Sequence, residues 1–444
     1  MSDTLAAQSL WPIDRIKDHV SKIGSGFTPS GGAASYLDAG VPLLRSQNVH
    51  FDGLRLDDVA YIADETHDEM SGSKLRARDV LLNITGASIG RCAFVPDSFG
   101  EGNVNQHVCI IRPKARLDYK FLTYCLSAPW GQDQVLSSFT GASRQGLGQR
   151  DLGAIQVPLP PLPEQQRIAT YLDASCAAID AAVAAKRSQI EALGHLQETI
   201  VQTAVTRGLN PHAPMKPSGL DWVSAVPSHW QVRQIKRLCS LVRGQFTHRP
   251  RNDPALYDGP YPFIQTGDIT AAGKYIRTHS QTLNELGLSA TKQFPRGTLV
   301  MSIAANIGDV AILDFEACFP DSMIGMIPGH KTNLDFLYYL MRSMRGIMLR
   351  SAVQSTQLNL NYVRIGTNFA PIPPLNEQSA IAEYLDAKEH ESRLISSTIE
   401  SQIAILTAYR KSLIHECVTG QRRLTEAEVR SIQKKAPTMT QAKG

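Results

Sequence analysis

From Glu164 to Arg207 the chain contains no proline and a single glycine, Gly194. Within that stretch Leu172, Ile179, Lys186, Leu193 and Ile200 recur every seven residues, with Ile168, Val183 and Ile190 at intervening seam positions. A second stretch answers with Leu385, Ser392, Ile399, Leu406 and Leu413 at the same spacing. The period predicts two long helices, each with one stripe that must be buried against a partner. The first, roughly 44 residues, would be about 65 Å long if fully helical. Both follow proline-rich stops, where proline suits a first helical turn and Glu164 suits the positive end of the helix dipole. Where one stripe turns polar the other does not: Lys186 matches Ile399, and Ser392 matches Ile179. A homodimeric coiled coil is the ordinary way to bury such stripes. The asymmetry favours pairing of the two helices with each other inside one chain. They can run antiparallel because a whole segment lies between them.

Away from the helices the pattern is β-like. Short apolar runs at Val41 to Leu44, Val80 to Thr85, Cys92 to Val95 and Val108 to Arg112 are separated by Gly, Asp and Asn clusters. A helical stretch, Tyr119 to Leu126, follows them. Tyr261 to Gln265, Thr298 to Ile303 and Val310 to Leu313 repeat the style, with a helix near Leu334 to Leu349. Regular strand–helix alternation is missing, so each segment reads as a mixed head rather than a doubly wound sheet.

The chain also repeats itself. Leu159 to Asp173 reappears as Ile372 to Asp386, sharing the pattern Pro-Pro-Leu-x-Glu-Gln at Pro160 to Gln165 and Pro373 to Gln378. The heads match at anchors: Trp11 with Trp230, Phe27-Thr28 with Phe246-Thr247, Pro42 to Val49 with Pro262 to Ile269, and Ala87 to Gly90 with Ala305 to Gly308. Leu117-Asp118-Tyr119 aligns with Leu334-Asp335-Phe336. The unit is too long for a solenoid repeat and is a duplicated domain. Duplication can be purely structural. It can also present two similar surfaces to something with two-fold symmetry, duplex DNA foremost. The expected fold class is α+β: two duplicated mixed heads separated by two long helices pairing as an antiparallel coiled coil, with pseudo-two-fold symmetry. Boundaries fall at 1–159 (first head), 160–208 (first helix), 209–225 (linker), 226–371 (second head), 372–422 (second helix) and 423–444, a tail expected to be unstructured.

The 444 residues are 43% hydrophobic and 19% charged, the composition of an ordinary globular chain. No run of about 18 apolar residues predicts a membrane span, and the N-terminus lacks signal-peptide character. The seven cysteines are scattered singly, which argues against a disulfide framework or zinc site and fits free thiols in a cytoplasmic protein. A net charge of +4 is too small to diagnose a nucleic-acid partner. Its distribution says more. No acidic residue occurs from Trp222 to Asn252, where Arg233, Lys236, Arg237, Arg243, Arg249 and Arg251 fall. The first head carries Lys74, Arg76, Arg78, Arg112, Lys114 and Arg116. Such clusters can neutralise phosphates, or can be solvated faces.

Catalytic motifs are missing. No P-loop, H-E-x-x-H, G-x-S-x-G or Asn/Asp-Pro-Pro-Tyr tetrapeptide occurs. Asp64-Glu65-Thr66-His67 without a P-loop reads as a surface loop, and Gly24-Ser25-Gly26 and Gly100-Glu101-Gly102 read as turns. Pro158 to Pro163 could be a polyproline ligand, but its duplication favours a helix start. A protein-binding adaptor and a nuclease fused to a dimerising rod stay open as alternatives.

Taken together, the two Pro-Pro-Leu-x-Glu-Gln helix starts and the head motifs resemble a specificity subunit of a type I restriction–modification system. The head motifs are Arg45 to Val49, Thr85 to Gly90, Asn105 to Val108 and Gly141 to Leu147. The second head has weaker equivalents, Asp321-Ser322 and Gln354 to Asn359. The resemblance spans nearly the whole chain. It implies target-recognition domains that each read one half of a split DNA sequence. It further implies a helical spacer that fixes the gap and docks methyltransferase subunits, two in number, and through them restriction and translocation subunits. This chain would catalyse nothing and bind no cofactor or metal. S-adenosylmethionine, ATP and Mg are expected in the partners, which methylate adenine and restrict foreign DNA.

Base reading needs bidentate Arg, Asn or Gln side chains on exposed loops. Candidates in the first head are Arg45, Gln47, Asn48, Ser88, Asn105, Gln106, Ser143, Arg144 and Gln145. In the second they are Lys236, Arg243, Arg249, Gln265, Asp268, Asn306, Gln357 and Asn359. Motifs shared by relatives with different targets should serve the fold or the phosphates. True base readers are therefore expected in the segments that match least, 50–78 and 270–294.

Overall fold

The computed structural model describes residues 9–29, 31–140, 146–248, 250–304, 306–351 and 362–435. The chain divides into two units, Met1–Arg187 with Glu400–Gly444, and Ser188–Ile399. Each unit contains one head and part of both long helices, so the sequence boundaries between head and helix do not separate compact bodies.

In the first unit the strands Val20–Ser25, Val108–Pro113, Val80–Asn83 and Cys92–Phe94 form an antiparallel sheet in that order. A smaller sheet joins Ala60–Ile62, Val41–Leu44 and Asn103–Val104, the last pair parallel. The second unit repeats both. Cys239–Arg243, Met323–Pro328, Leu299–Ser302 and Val310–Leu313 keep the same order, and Tyr275–Ile276 adds a parallel edge. Gln281–Leu283, Tyr257–Phe263 and Ala317–Cys318 repeat the smaller sheet, extended by Gln293–Phe294. Each head is closed by a strand beside its starting tryptophan paired with the strand that runs into the proline stop. Ile13–Arg15 pairs with Gln156–Pro158, and Gln231–Gln234 with Phe369–Ile372. Alternate residues of the central strands fill the core on both faces, which is why Val80–Asn83 and Leu299–Ser302 are buried along their whole length.

Helix α1 (Tyr119–Ser127) packs under the first sheet, and α2 (Leu162–Arg207) starts after the proline stop. The second head has α3 (Leu334–Ser343) and α4 (Leu375–Thr419), and the described chain ends with α5 (Glu426–Lys435). The repeated glutamine explains the duplicated helix start. Gln165 is fully buried; its Oε1 accepts from Asp118 N at 2.8 Å, and its Nε2 donates to Pro160 O and Arg116 O at 2.9 and 3.1 Å. Gln378 does the same with Asn333 N, Pro373 O and Lys331 O at 2.8, 3.0 and 3.2 Å. Three bonds satisfy each amide's acceptor and both donors. They tie the head helix, the proline stop and the spacer helix together. They also correct the alignment read from sequence. The residue equivalent to Asp118, the N-cap of α1, is Asn333, the N-cap of α3, two positions before Asp335. Leu-Asp beside an aromatic residue is a chance match there; the N-cap bond to the glutamine decides the register.

The helices pair antiparallel. In the first unit Asp180 meets Arg410 at 3.1 Å, and further along α2 Lys186 Nζ donates to Gln402 Oε1, earlier in α4. Leu172 and Ile179 share a core with Leu413, Ile414, Cys417 and Val418. In the second unit Val201, Ala204 and Val205 share a core with Ile381, Ala382 and Leu385. All ten predicted seam residues are buried or half-buried, with Lys186, Leu193, Ile200, Ser392 and Leu406 in the half-buried class. By length and composition α2 would pass for a membrane-spanning helix, which the sequence reading did not anticipate. The burial of Leu172, Cys176 and Ile179 in the head core accounts for its apolar character.

Three other expectations change. The 209–225 linker carries a hairpin, Met215–Leu220 with Val223–Pro227. The proposed unstructured tail contains α5, anchored by the buried Leu424 and by Val429 and Ile432. Asp64–Glu69 is a helix rather than a loop, and His67 is buried with its Nδ1 on Asn103 Oδ1. The helix contains no apolar residue, so no hydrophobic period could have signalled it.

Candidate nucleic-acid interface

In the first head three candidate loops meet where the strands end. Asn83, at the end of its strand, donates through Nδ2 to Ser46 O at 2.7 Å and to Ser88 Oγ at 3.1 Å. This joins the Arg45–Asn48 turn to the Gly86–Ser88 turn. Asn105 N donates to Leu44 O at 3.1 Å and brings in the Asn105–His107 turn, and Thr85 Oγ1 lies 2.6 Å from His107 Nδ1. Thr28 reaches the same place through its hydroxyl on Gln106 Oε1. The structure therefore gathers Arg45, Gln47, Asn48, Ser88, Asn105 and Gln106 at one end of the head.

Their side chains are not equally available. Asn48 is 2% exposed; its Oδ1 accepts from Arg45 N at 2.9 Å, and its Nδ2 donates to Arg55 O and Asp58 O. Asn105 is 6% exposed, with its Oδ1 accepting from His107 N. Both hold turns, and Asn48, with its oxygen and both amide hydrogens bonded to backbone, has nothing left to offer a base edge. Ser88 Oγ accepts from Asn83 and helps hold its turn, with its hydroxyl proton still available. Arg45 lies 5.6 Å over the Tyr36 ring and 3.6 Å from Asp58. Gln47 and Gln106 are exposed at the surface of the cluster. Gln47 Nε2 donates to Asp58 Oδ2 at 2.5 Å, so a ligand has to break that contact. Ser143, Arg144 and Gln145 lie outside the described residues.

The second head repeats the turn. Gln265 N donates to Asp268 Oδ2 at 2.7 Å, as Arg45 N does to Asn48, so Asp268 is also a turn holder. Ser280 Oγ donates to the same carboxylate at 3.2 Å. Gln265 Nε2 donates to Gln281 Oε1 at 2.9 Å, and Asn306, exposed, donates to Thr270 Oγ1 at 2.8 Å. Thr270 in turn donates to Asp309 Oδ2, which places Asn306 beside the Thr266–Ala271 helix. The Ile-Gly of this motif is a tight turn in both heads. Gly90 and Gly308 have φ of 87° and 85°, and a Cβ there would strike Gln132 or Arg345. Gln357, Asn359 and Arg249 lie outside the described residues.

The basic clusters divide. In the first head half of the six are paired with carboxylates: Arg112 makes a bidentate pair with the fully buried Asp79 at 2.6 and 2.7 Å, Arg78 pairs with Asp97, and Lys74 with Asp68. Arg112 and Asp79 knit the sheet, so Arg112 is structural rather than free for a phosphate. In the second head Lys236 and Arg243 stand at opposite ends of the strand Cys239–Arg243 and do not form one site. Arg243 lines an open cleft of about 450 Å³ with Gln245, Thr247, Lys292 and Asp321. Its Nε donates to Asp321 O at 2.8 Å. Lys292 escaped the sequence reading because it stands alone between uncharged residues. Only the fold carries it to Arg243.

The described residues contain no group of three His, Cys, Asp or Glu side chains placed to hold a metal ion. All seven cysteines are buried and free, and burial pushes the thiols up, to about 12 for Cys92, Cys109, Cys239 and Cys417. They remain protonated thiols at neutral pH.

Two copies of one mixed head, each gathering amide and basic side chains on loops and each locked to paired helices, define a duplicated recognition protein. The family model for the type I restriction modification DNA specificity domain matches the chain twice, at residues 62–192 and 227–404, and the chain belongs to that family. Among its relatives, the putative type I restriction enzyme MjaX specificity subunit of Methanocaldococcus jannaschii is 23% identical over 85% of this chain and 86% of its own length. The EcoKI specificity subunit of Escherichia coli K12 is also 23% identical, over 88% of this chain and 84% of its own length. A chain solved for the complex assembly and conformational transition of the type I R-M system shares the fold with a TM-score of 0.70. It has 16% identity and covers 93% of this chain and 98% of its own. The HsdS subunit from Thermoanaerobacter tengcongensis matches with a TM-score of 0.54 at 16% identity, over 93% and 97%.

Proposed function

We propose that this type I specificity subunit binds a split double-stranded DNA target, one half-site per head, and directs adenine methylation and ATP-dependent restriction by partner subunits in the cytoplasm. The observation that carries the reading is the repeated loop cluster, Arg45 to Asn48 in one head and Gln265 to Asp268 in the other, each closed by the same side-chain-to-backbone bond. A turn-holding residue is kept while its exposed neighbours, Gln47, Gln106 and Asn306, remain free to differ. This suits readers of two different half-sites on one scaffold. Arg243 and Lys292 serve phosphates, whose contacts position a protein without specifying sequence. The paired helices set the unread gap and dock two methyltransferase subunits, through which the restriction subunits attach. S-adenosylmethionine, ATP and Mg act in those partners.

The test is single-molecule sequencing of methylated adenines in cells with and without this chain. A repeat with residues 226–371 exchanged for a relative's head follows. A split motif should disappear with the chain, and the exchange should alter one half-site and leave the other half-site and the gap alone. Methylation that ignores the chain, or an exchange that changes both half-sites, overturns the reading. In vitro, Lys292→Ala should weaken binding uniformly across sequences and lower its salt dependence, whereas Gln106→Ala should relax one position, by about 1–3 kcal/mol for a bidentate contact.

A further inference from the structure

The duplicated helices end differently. After α4, residues 421–435 fold back over the first unit. Arg422 lies over the Tyr171 ring at 5.2 Å and reaches Glu428 at 3.9 Å. Leu424, Val429 and Ile432 join the core that contains Tyr171, Leu413 and Cys417. Tyr171 is 7% exposed as a result. At the matching place in the second unit Tyr384 is 37% exposed. There the chain leaves α2 into the hairpin at 215–227, and among the described residues no helix covers the place. What remains is a groove of about 530 Å³, lined by Ile200, Thr203, Ala204, Leu209, Met215 and Tyr384, with Arg207 on its wall. Leu209 and Met215 are 43% and 41% exposed. By the repeat, Ile200 and Ala204 stand where Leu413 and Cys417 support α5.

We infer that the Tyr384 groove is a docking site for a short amphipathic helix of another polypeptide. The molecule itself shows what such a groove takes. The helix seated on the Tyr171 side carries an aliphatic pair three residues apart, Val429 and Ile432, and a carboxylate, Glu428, beside the arginine that covers the tyrosine. The occupant of the open groove therefore has an i, i+3 aliphatic pair and a carboxylate placed to meet Arg207. Helix-in-groove recognition uses this spacing. The occupant comes from a different polypeptide because α5, joined to α4 by a few residues, has a far higher effective concentration at its own groove than at another. The groove lies wholly in the second unit and none of the candidate DNA residues lines it, so the inference stands or falls without the DNA reading.

The probe is a fluorescein-labelled peptide of residues 421–440 titrated onto the full chain, read by anisotropy without DNA. Saturable binding at one site per chain is expected. Leu209→Glu with Met215→Glu should weaken it at least tenfold, and thermal unfolding should be unchanged because both side chains are already exposed. Arg207→Glu should also weaken it, and a peptide carrying Glu428→Lys should recover affinity on that variant. Absence of saturable binding, or binding indifferent to the groove substitutions, overturns the inference. So does light scattering that shows full-length chains pairing through α5 and this groove, since the occupant is then a second copy.

Discussion

Asp173 and Asp386 hold the same place in the duplicated sequence, and each accepts a hydrogen bond from a tyrosine of its head. Tyr124 donates to Asp173 at 2.8 Å, and Tyr339 donates to Asp386 at 2.7 Å. Each carboxylate also meets a lysine, but the lysines are unrelated. Lys120 comes from α1 and lies 2.6 Å from Asp173. Lys274 comes from the loop before Tyr275–Ile276 and touches Asp386 at 2.5 Å and Asp335 at 2.7 Å. The second head adds Glu389, which accepts from Tyr339 at 3.0 Å and pairs with Arg342 at 3.1 Å. Burial pushes both tyrosine hydroxyls far up, so they stay neutral donors. The two heads are thus fastened to their helices at one geometric point by one shared bond and by two cations supplied from different places in the heads. What duplication keeps is the contact geometry; the supporting charge can be supplied from wherever the chain passes nearby. The first fastening depends on one carboxylate, and the second is redundant.

The largest difference between the units should appear at the starting tryptophans. Trp230 is fully buried, packs against Gly208 and donates through Nε1 to Glu377 Oε2 at 3.0 Å. Trp11 is half-buried against Gly420 and Arg423, and its Nε1 has no hydrogen-bond partner among the described residues. Trp230→Ala should cost about 3–5 kcal/mol in the unfolding of its unit, as large aromatic truncations do. Trp11→Ala should cost clearly less, measured by urea denaturation with proteolysis to report each unit. Equal losses would mean that the tryptophans are equivalent and would break the comparison.

Gln165→Ala and Gln378→Ala come next and should be alike. Each leaves one backbone N–H and two carbonyls without their partner, so losses of about 2–3 kcal/mol are expected from either. Hydrogen exchange should rise at Asp118 in one variant and at Asn333 in the other. Protection that persists at either amide would show that the shared glutamine is not what ties head to helix.

Asp173→Ala should then cost more than Asp386→Ala. The first strands the Tyr124 hydroxyl and Lys120 together. The second leaves Tyr339 on Glu389 and Lys274 on Asp335. About 1–2 kcal/mol is expected for the first, chiefly from the buried hydroxyl, because the partly exposed ion pair is screened. Less is expected for the second, read as midpoints of chemical unfolding. The reverse order would show that Lys274 needs Asp386 specifically.

The smallest effect is one of pH and belongs to the first unit. Burial lowers the pKa of His415 on α4, and its Nδ1 has no partner among the described residues. The folded state therefore prefers the neutral ring. This contribution is present above the unfolded value of about 6.5 and is lost as pH falls through it toward the depressed folded value. His415→Leu should flatten the acid side of the first unit's stability profile between about pH 7 and 5 and leave the second unit's profile alone. An unchanged slope would place the ring in water.

The heptad stripes, the duplicated proline stop and the Trp11 and Trp230 anchors determined the two heads, the two long helices and the antiparallel pairing from sequence, because burial periodicity is local and duplication counts each signal twice. The candidate loops were also legible, since Arg45 to Asn48, Ala87 to Gly90 and Asn105 to His107 do converge. Sequence did not say which side chains in them are spent. Asn48, Asn105 and Asp268 look like readers and are turn holders, because a short polar side chain serves a base edge and a backbone N–H equally well. Nor did it find Lys292 beside Arg243, Lys274 standing in for Lys120, or the contrast between Tyr171 under α5 and the more exposed Tyr384. Those are juxtapositions of residues far apart along the chain. They leave no period or spacing behind, and only the packing within each unit brings them about.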